Sequence, residues 1–209
     1  MIILLLSILL FSIISDEVVI EKENSFDITV FRYLSSFTSP SATKVALFVT
    51  TFGSGYFLLP AYLFIILYLV KIKKAREAII VSTIATVSEL SGWLLKFLFH
   101  RPRPSLPLIS GTGGFSFPSG HSLGGFTFSG VLIYLLWQTS LNASLKWTLY
   151  FFLIIFSLLI GLSRIYLRFH FASDVLGSLL VTVVWLSLTF ILLETIEKKA
   201  LKGISARNR

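Results

Sequence analysis

Cysteine is absent from this chain of 209 residues. Disulfides, thiolate metal sites and cysteine nucleophiles are therefore excluded, although a missing residue says nothing about the redox compartment. Charge is also scarce: Asp, Glu, Lys and Arg make up 13% of the sequence, where a soluble domain carries about 25%. Histidine occurs only at His100, His121 and His170, so any imidazole chemistry must use these three. No run of carboxylates gathers to hold magnesium or a pair of zinc ions.

What the chain has instead is apolar bulk. Hydrophobic residues reach 55%, and they fall in long runs separated by short polar segments. That is the composition of an integral membrane protein, and the length suits one compact domain over residues 1–209. The formal charge of +8 would suggest nucleic acid in a soluble protein. Here the basic residues cluster between apolar runs, which fits membrane topology and anionic lipid instead.

Residues 2–15 are apolar but short for a full span. They read as a short or tilted first span, since no basic segment precedes them and no small-x-small cleavage site follows, as a signal peptide would require. Residues 16–45 are polar and net acidic. Phe26, Val30, Phe37 and either Tyr33 or Leu34 share a helical face there, as in a helix lying in the membrane interface or a loop helix packed on the bundle. Further spans are expected at 46–70, 78–99, 121–137, 147–162 and 175–193, with a Pro-, Gly- and Ser-rich loop over 100–120. The expected fold is therefore all-α, a bundle of about six transmembrane helices with an interfacial helix or loop on its outer face. If the spans alternate, the cluster from Lys71 to Arg76, Lys146 and the basic tail share one side, which the positive-inside rule makes cytoplasmic. Arg101, Arg103, Arg164 and Arg168 then fall on the outer side, with Lys96 at the same level. An anion site explains cations collected there.

Three spaced patterns meet on that outer face. The first is Lys96, six residues, then Arg103-Pro104. Arginine offers a planar fork for two phosphate oxygens and lysine a point charge, yet a basic loop touching lipid headgroups would look the same. The second is Pro118-Ser119-Gly120-His121, at the expected start of a span. Free backbone N–H groups and the helix dipole favour an anion there, Gly120 admits it close to the main chain, and His121 stands beside it. A Pro-Ser-Gly helix start followed by an interfacial histidine is the plain alternative. The third is Ser163-Arg164, five residues, His170, three residues, Asp174. His170 and Asp174, four apart, share a helical face, so the carboxylate can take one imidazole N–H and leave the other nitrogen as a nucleophile. A surface ion pair at a helix start would share that spacing.

Taken together and in order, K-x6-R-P, P-S-G-H and S-R-x5-H-x3-D resemble the signature of the type 2 phosphatidic acid phosphatase family of membrane lipid phosphatases, without a departure. The matched segments run from Lys96 to Asp174. The resemblance implies a metal-independent, cofactor-free hydrolase acting on the terminal phosphate of a lipid phosphate or diphosphate. It implies that Lys96, Arg103 and Arg164 bind phosphate oxygens, with hydrogen bonds from Ser119 and Gly120. It implies that His170 attacks phosphorus to form a phosphohistidine, that Asp174 orients it, and that His121 is the general acid. Its bacterial members act on undecaprenyl diphosphate, phosphatidylglycerol phosphate or phosphatidic acid, which points to the cytoplasmic membrane with the site facing outward.

Other classes share parts of the pattern. A phosphotransferase would use the same histidine and pass the phosphoryl group to a second lipid. A non-catalytic lipid transporter on this fold would not need His170, His121 and Asp174. Vanadium haloperoxidases resemble the fold but are not small six-span proteins. Outside the signature, Arg101 and Arg168 are candidates for a second phosphate or a lipid headgroup. Glu89, an intramembrane carboxylate two turns before Lys96, is expected to line the lower pocket or to sit as a protonated structural acid. Phe115 and Phe117 flank the second motif, and Trp93, Trp137, Trp147 and Trp185 suit packing or interface positions. The expected partners are the lipid substrate and membrane lipids; nothing indicates an oligomeric state.

Overall fold

The computed structural model describes residues 1–17, 25–109 and 113–207. Among them it is helical throughout: α1 (Ile2–Ser15), α2 (Ser25–Ser35), α3 (Pro40–Thr51), α4 (Gly55–Lys71), α5 (Ala75–Phe99), α6 (Gly120–Trp137), α7 (Ala143–Tyr166) and α8 (Ala172–Arg207). Four stretches are long and apolar enough to cross a membrane: Pro40–Lys71, Ala75–Phe99, Ala143–Tyr166 and Ala172–Thr195. The shorter α1 and the small-residue α6 bring the count to about six. The protein is a multi-pass membrane bundle.

The α6 helix sits centrally and touches α4, α5, α7 and α8. Its buried face is rich in small residues, with Ser122, Gly124, Gly125, Thr127 and Ser129 alongside Leu123, Phe126 and Val131. Between apolar helices, close backbone approach and hydroxyl contacts supply the packing that water would otherwise drive. Two such contacts cross the bundle, Ser88 to Thr127 at 2.8 Å and Thr127 to Thr182 at 3.4 Å.

Two expected boundaries move. The span expected at 46–70 begins earlier, at Pro40, where Ser39 caps α3 by accepting the Ala42 N–H at 3.2 Å; serine followed by proline is a strong helix start. It is then interrupted between α3 and α4 around Gly53. A Cβ there would lie 2.6 Å from the His121 carbonyl oxygen and 2.7 Å from Ile160 Cγ2, so only glycine lets this joint press against α6 and α7. In α2 the face turned to the bundle is also different. Val30, Phe31 and Leu34 pack against the Phe126, Ile165 and Val175 cluster, and Asp27 is fully buried. Phe26, Tyr33 and Phe37, expected on one face with Val30, are exposed. Helix α2 thus packs on the bundle along one face and leaves these three rings exposed, as a helix at the membrane interface would.

Candidate active site

The C-terminal ends of α5 and α7 and the N-terminal ends of α6 and α8 meet at one end of the bundle, where they bring all three motifs together. Helix α5 ends at His100, left-handed with φ 48°, and the turn sends Arg101 to Pro104 across the mouth. At α6 the ladder begins with the Leu123 N–H donating to the Ser119 carbonyl at 2.9 Å, so the N–H groups of Gly120, His121 and Ser122 precede it and point outward. Ser119 is fixed on three sides. Its N–H donates to the Asp174 carbonyl at 3.2 Å, and its own carbonyl and hydroxyl accept from the Ser178 and Ser122 hydroxyls at 2.9 Å each.

His170 lies in the tight turn between α7 and α8, buried to 2% exposure. Its Nδ1 faces Asp174 Oδ2 at 3.3 Å, and its Nε2 faces Arg103 Nη1 at 3.2 Å. A guanidinium only donates, so the contact requires Nε2 to carry the lone pair and Nδ1 the proton. Burial holds the His170 pKa well below the usual histidine range; the adjacent Asp174 opposes this, and the Lys96 and Arg103 charges add to it. The ring is therefore neutral near pH 7, with a lone pair aimed at the cations. Asp174 is held in turn: Oδ2 accepts the Phe171 N–H at 2.8 Å and the Ser116 hydroxyl, and Oδ1 accepts Arg101 Nη1 at 2.6 Å.

Three further cations surround the space beside His170. Arg103 donates from Nε to the Gly114 carbonyl at 3.1 Å and from Nη1 to the Phe169 carbonyl at 2.9 Å. Lys96 Nζ donates to the carbonyls of Phe115 and Ser116 at 2.9 and 3.3 Å. Arg164 stacks on the Phe169 ring at 4.6 Å and donates from Nη1 to Thr50 at 2.9 Å, while its buried Nε has no partner. A cavity of about 1090 Å³ runs from Gly120 and His121 along α4 and α5. Its walls are mainly apolar, including Leu58, Leu59, Leu63 and Leu90, and Glu89 opens on it.

The two non-signature arginines lie in different surroundings. Arg101 is buried and turned inward onto two carboxylates, Asp174 and, at 2.8 Å, Asp27. Arg168 turns to α2 and donates to the Ser35 hydroxyl at 3.1 Å. Phe117 is fully buried, against Phe11, Phe99 and the bare backbone of Gly177. Trp93, Trp137 and Trp147 are exposed as interface residues would be, whereas Trp185 hydrogen-bonds Ser91 at 2.8 Å. The sequence reading missed Asp27 and Ser116. The signal for Asp27 was an acid inside the spacing 27, 30, 31, 34; Ser116 had none. Among the described residues no group of three or more His, Asp or Glu side chains is arranged for a metal ion.

Comparison with known proteins gives the same frame. The chain is 30% identical over 139 residues to phosphatidylglycerophosphatase B of Bacillus subtilis, covering 66% of this chain and 68% of the relative. It is 30% identical over 117 residues to the undecaprenyl-diphosphatase BcrC of the same organism, covering 53% and 55%. The crystal structure of the transmembrane PAP2-type phosphatidylglycerolphosphate phosphatase from Bacillus subtilis superposes with a TM-score of 0.85 at 24% identity, over 94% of this chain and 98% of that one. That of Aquifex aeolicus LpxE gives 0.63 at 24% identity, over 80% and 96%. Residues 76–198, which contain every motif above, match the PAP2 superfamily, and the chain belongs to that superfamily.

Proposed function

We propose that this protein is a membrane lipid phosphatase that removes the terminal phosphate of a lipid phosphate or diphosphate through a phosphohistidine. The observation that carries the reading is His170 Nε2, unprotonated and directed at a cluster of cations, with Asp174 behind Nδ1. In phosphoryl transfer, catalysis rests on placing the nucleophile and neutralising charge spread over the phosphate oxygens.

In the first step the substrate phosphate sits at the N-terminus of α6 among Lys96, Arg103 and Arg164. The Nε2 lone pair attacks phosphorus, the bond to the lipid oxygen breaks, and His121 gives that oxygen its proton. In the second step a water, losing its proton to His121, attacks phosphorus; the P–N bond breaks and inorganic phosphate leaves. Lys96 and Arg103 exchange their loop carbonyls for phosphate oxygens, which are stronger acceptors. The apolar cavity that reaches His121 suits a hydrocarbon chain. A tail held by featureless apolar walls favours neither a glycerolipid nor a polyprenol, in keeping with relatives named for both.

The site belongs on the outer side of the cytoplasmic membrane in this reading. Lys71 at the end of α4, Lys73 and Lys74 in the turn before α5, and Lys146 in the first turn of α7 lie at the opposite end of helices that present their other ends to the site, and such clusters stay inside. Phosphate release from a detergent-solubilised panel of lipid phosphates and diphosphates tests the proposal. Turnover of at least one of them by the wild type, and of none by His170→Ala, is expected; wild-type rates in His170→Ala would refute it.

A further inference from the structure

Asp27 and Arg101 belong to no motif, yet they form a closely connected buried polar cluster. Arg101 donates from Nη1 to Asp174 Oδ1 at 2.6 Å and to the Ser173 hydroxyl at 2.8 Å, and from Nη2 to Asp27 Oδ2 at 2.8 Å. The Ser173 hydroxyl donates to Asp27 Oδ2 at 2.7 Å, which closes a ring through Arg101, Ser173 and Asp27. Asp27 Oδ1 accepts the Ser173 backbone N–H at 2.9 Å. A carboxylate from α2 thus caps the first turn of α8 at its second residue, next to Asp174. The guanidinium also lies 4.2 Å from the centre of the Phe171 ring. Both carboxylates are fully buried.

Charge counting gives this cluster a purpose. Asp174 has to stay negative toward His170 Nδ1. A buried carboxylate without a cation is costly, but one fully cancelled by a guanidinium is a weak partner for imidazole. Two carboxylates sharing one guanidinium leave a net charge of about −1 behind His170. Resting on the phosphatase reading, we propose that Asp27 and Arg101 are positioning residues that fix Asp174 and set how much negative charge it presents to the nucleophilic histidine. Arg101 supplies the geometry and most of the desolvation relief. Asp27 offsets the Arg101 charge and ties it to α2, so the seating of α2 on α7 and α8 becomes part of the catalytic geometry.

The signs are testable, because opposite charges are removed from behind one imidazole. His170 is faced by Asp174 and Ser116 at Nδ1 and by Arg103 at Nε2, with the Lys96 charge and His121 nearby; these stay unchanged in the variants. With only three histidines in the chain, imidazole nitrogen-15 spectra of the full-length protein in detergent resolve His170 without any need for turnover. The wild type should show the Nδ1–H tautomer. Asp27→Asn should move the His170 titration to lower pH, Arg101→Gln to higher pH, and the double variant back toward the wild type. In phosphate-release assays Asp27→Asn should lower kcat about tenfold with KM and vanadate inhibition little changed, since the anion pocket is intact.

Equal shifts of the same sign in both single variants, no shift in either, or loss of activity through KM alone would overturn the inference. Should Arg101→Gln fail to fold, the Asp27→Asn shift decides by itself, because asparagine keeps the size of the side chain and one of its two acceptor oxygens. If the spectra behave as described but no lipid phosphate is hydrolysed, the positioning inference stands and the phosphatase reading fails.

Discussion

In the proposed mechanism His170 carries the chemistry, and its surroundings fix what it can do. A neutral imidazole with its proton on Nδ1 attacks through Nε2, so protonation at low pH removes the nucleophile. Burial depresses its pKa; the sign therefore places the acidic limb of kcat/KM below the ordinary histidine value of about 6.5. Activity should persist through pH 6 and fall only in more acid solution, and a limb at or above 6.5 would contradict the burial argument. Asp174→Asn should lower kcat by at least about 100-fold, since the amide no longer enforces the productive tautomer; steady-state kinetics with intact vanadate inhibition would show that the pocket survives.

The residues of the three motifs were legible because the chemistry constrains type and spacing together. Asp27 was not. An acid on a packed helix face is disfavoured unless it is paired, and its partner Arg101 lies 74 residues away, beyond any local period. The apolar face of Phe26, Val30 and Phe37 therefore gave no sign of Asp27, which lies on the packed side of α2 with Val30, Phe31 and Leu34.

At the level of helices, the joint between α3 and α4 is where packing and catalysis meet. The apolar run of 46–70 hid this break, since hydropathy does not register a joint made of Gly53 and Ser54. The joint sets His121, because the His121 carbonyl occupies the space that a Gly53 side chain would need. Gly53→Val should cost about 1–3 kcal/mol through overpacking and should also reduce turnover by displacing the start of α6. Gly55→Ala, two residues on and with open space around it, should leave both unchanged. Thermal unfolding in detergent together with phosphate release separates the two effects. The central place of α6 was equally hard to see beforehand. Its glycines and hydroxyls say nothing of position by hydropathy, although between helices they are what close packing requires.

For the whole molecule, the sidedness of the site follows from where the basic turns fall. The absence of cysteine makes this simple to test, since any introduced thiol is unique. Leu106, in the loop over the site, is 72% exposed. Leu106→Cys should react with a membrane-impermeant maleimide in intact cells, and Lys74→Cys only after permeabilisation; the reverse pattern would place the site in the cytoplasm. About six helices thus bring four helix ends, and with them the residues of all three motifs, to one end of the bundle. The bundle could be assembled from hydropathy, but the convergence of Lys96, His121, His170 and Asp174 at one end came from the motifs and is met by the fold.

The most direct measurement is to catch the intermediate. Wild-type protein mixed with a lipid phosphate labelled in its terminal phosphoryl group, and quenched in alkali within a turnover, should carry the label on His170 as an acid-labile, base-stable adduct that disappears in His170→Ala. Label on a serine, aspartate or different histidine, or burst-free hydrolysis by His170→Ala at the wild-type rate, would contradict the account.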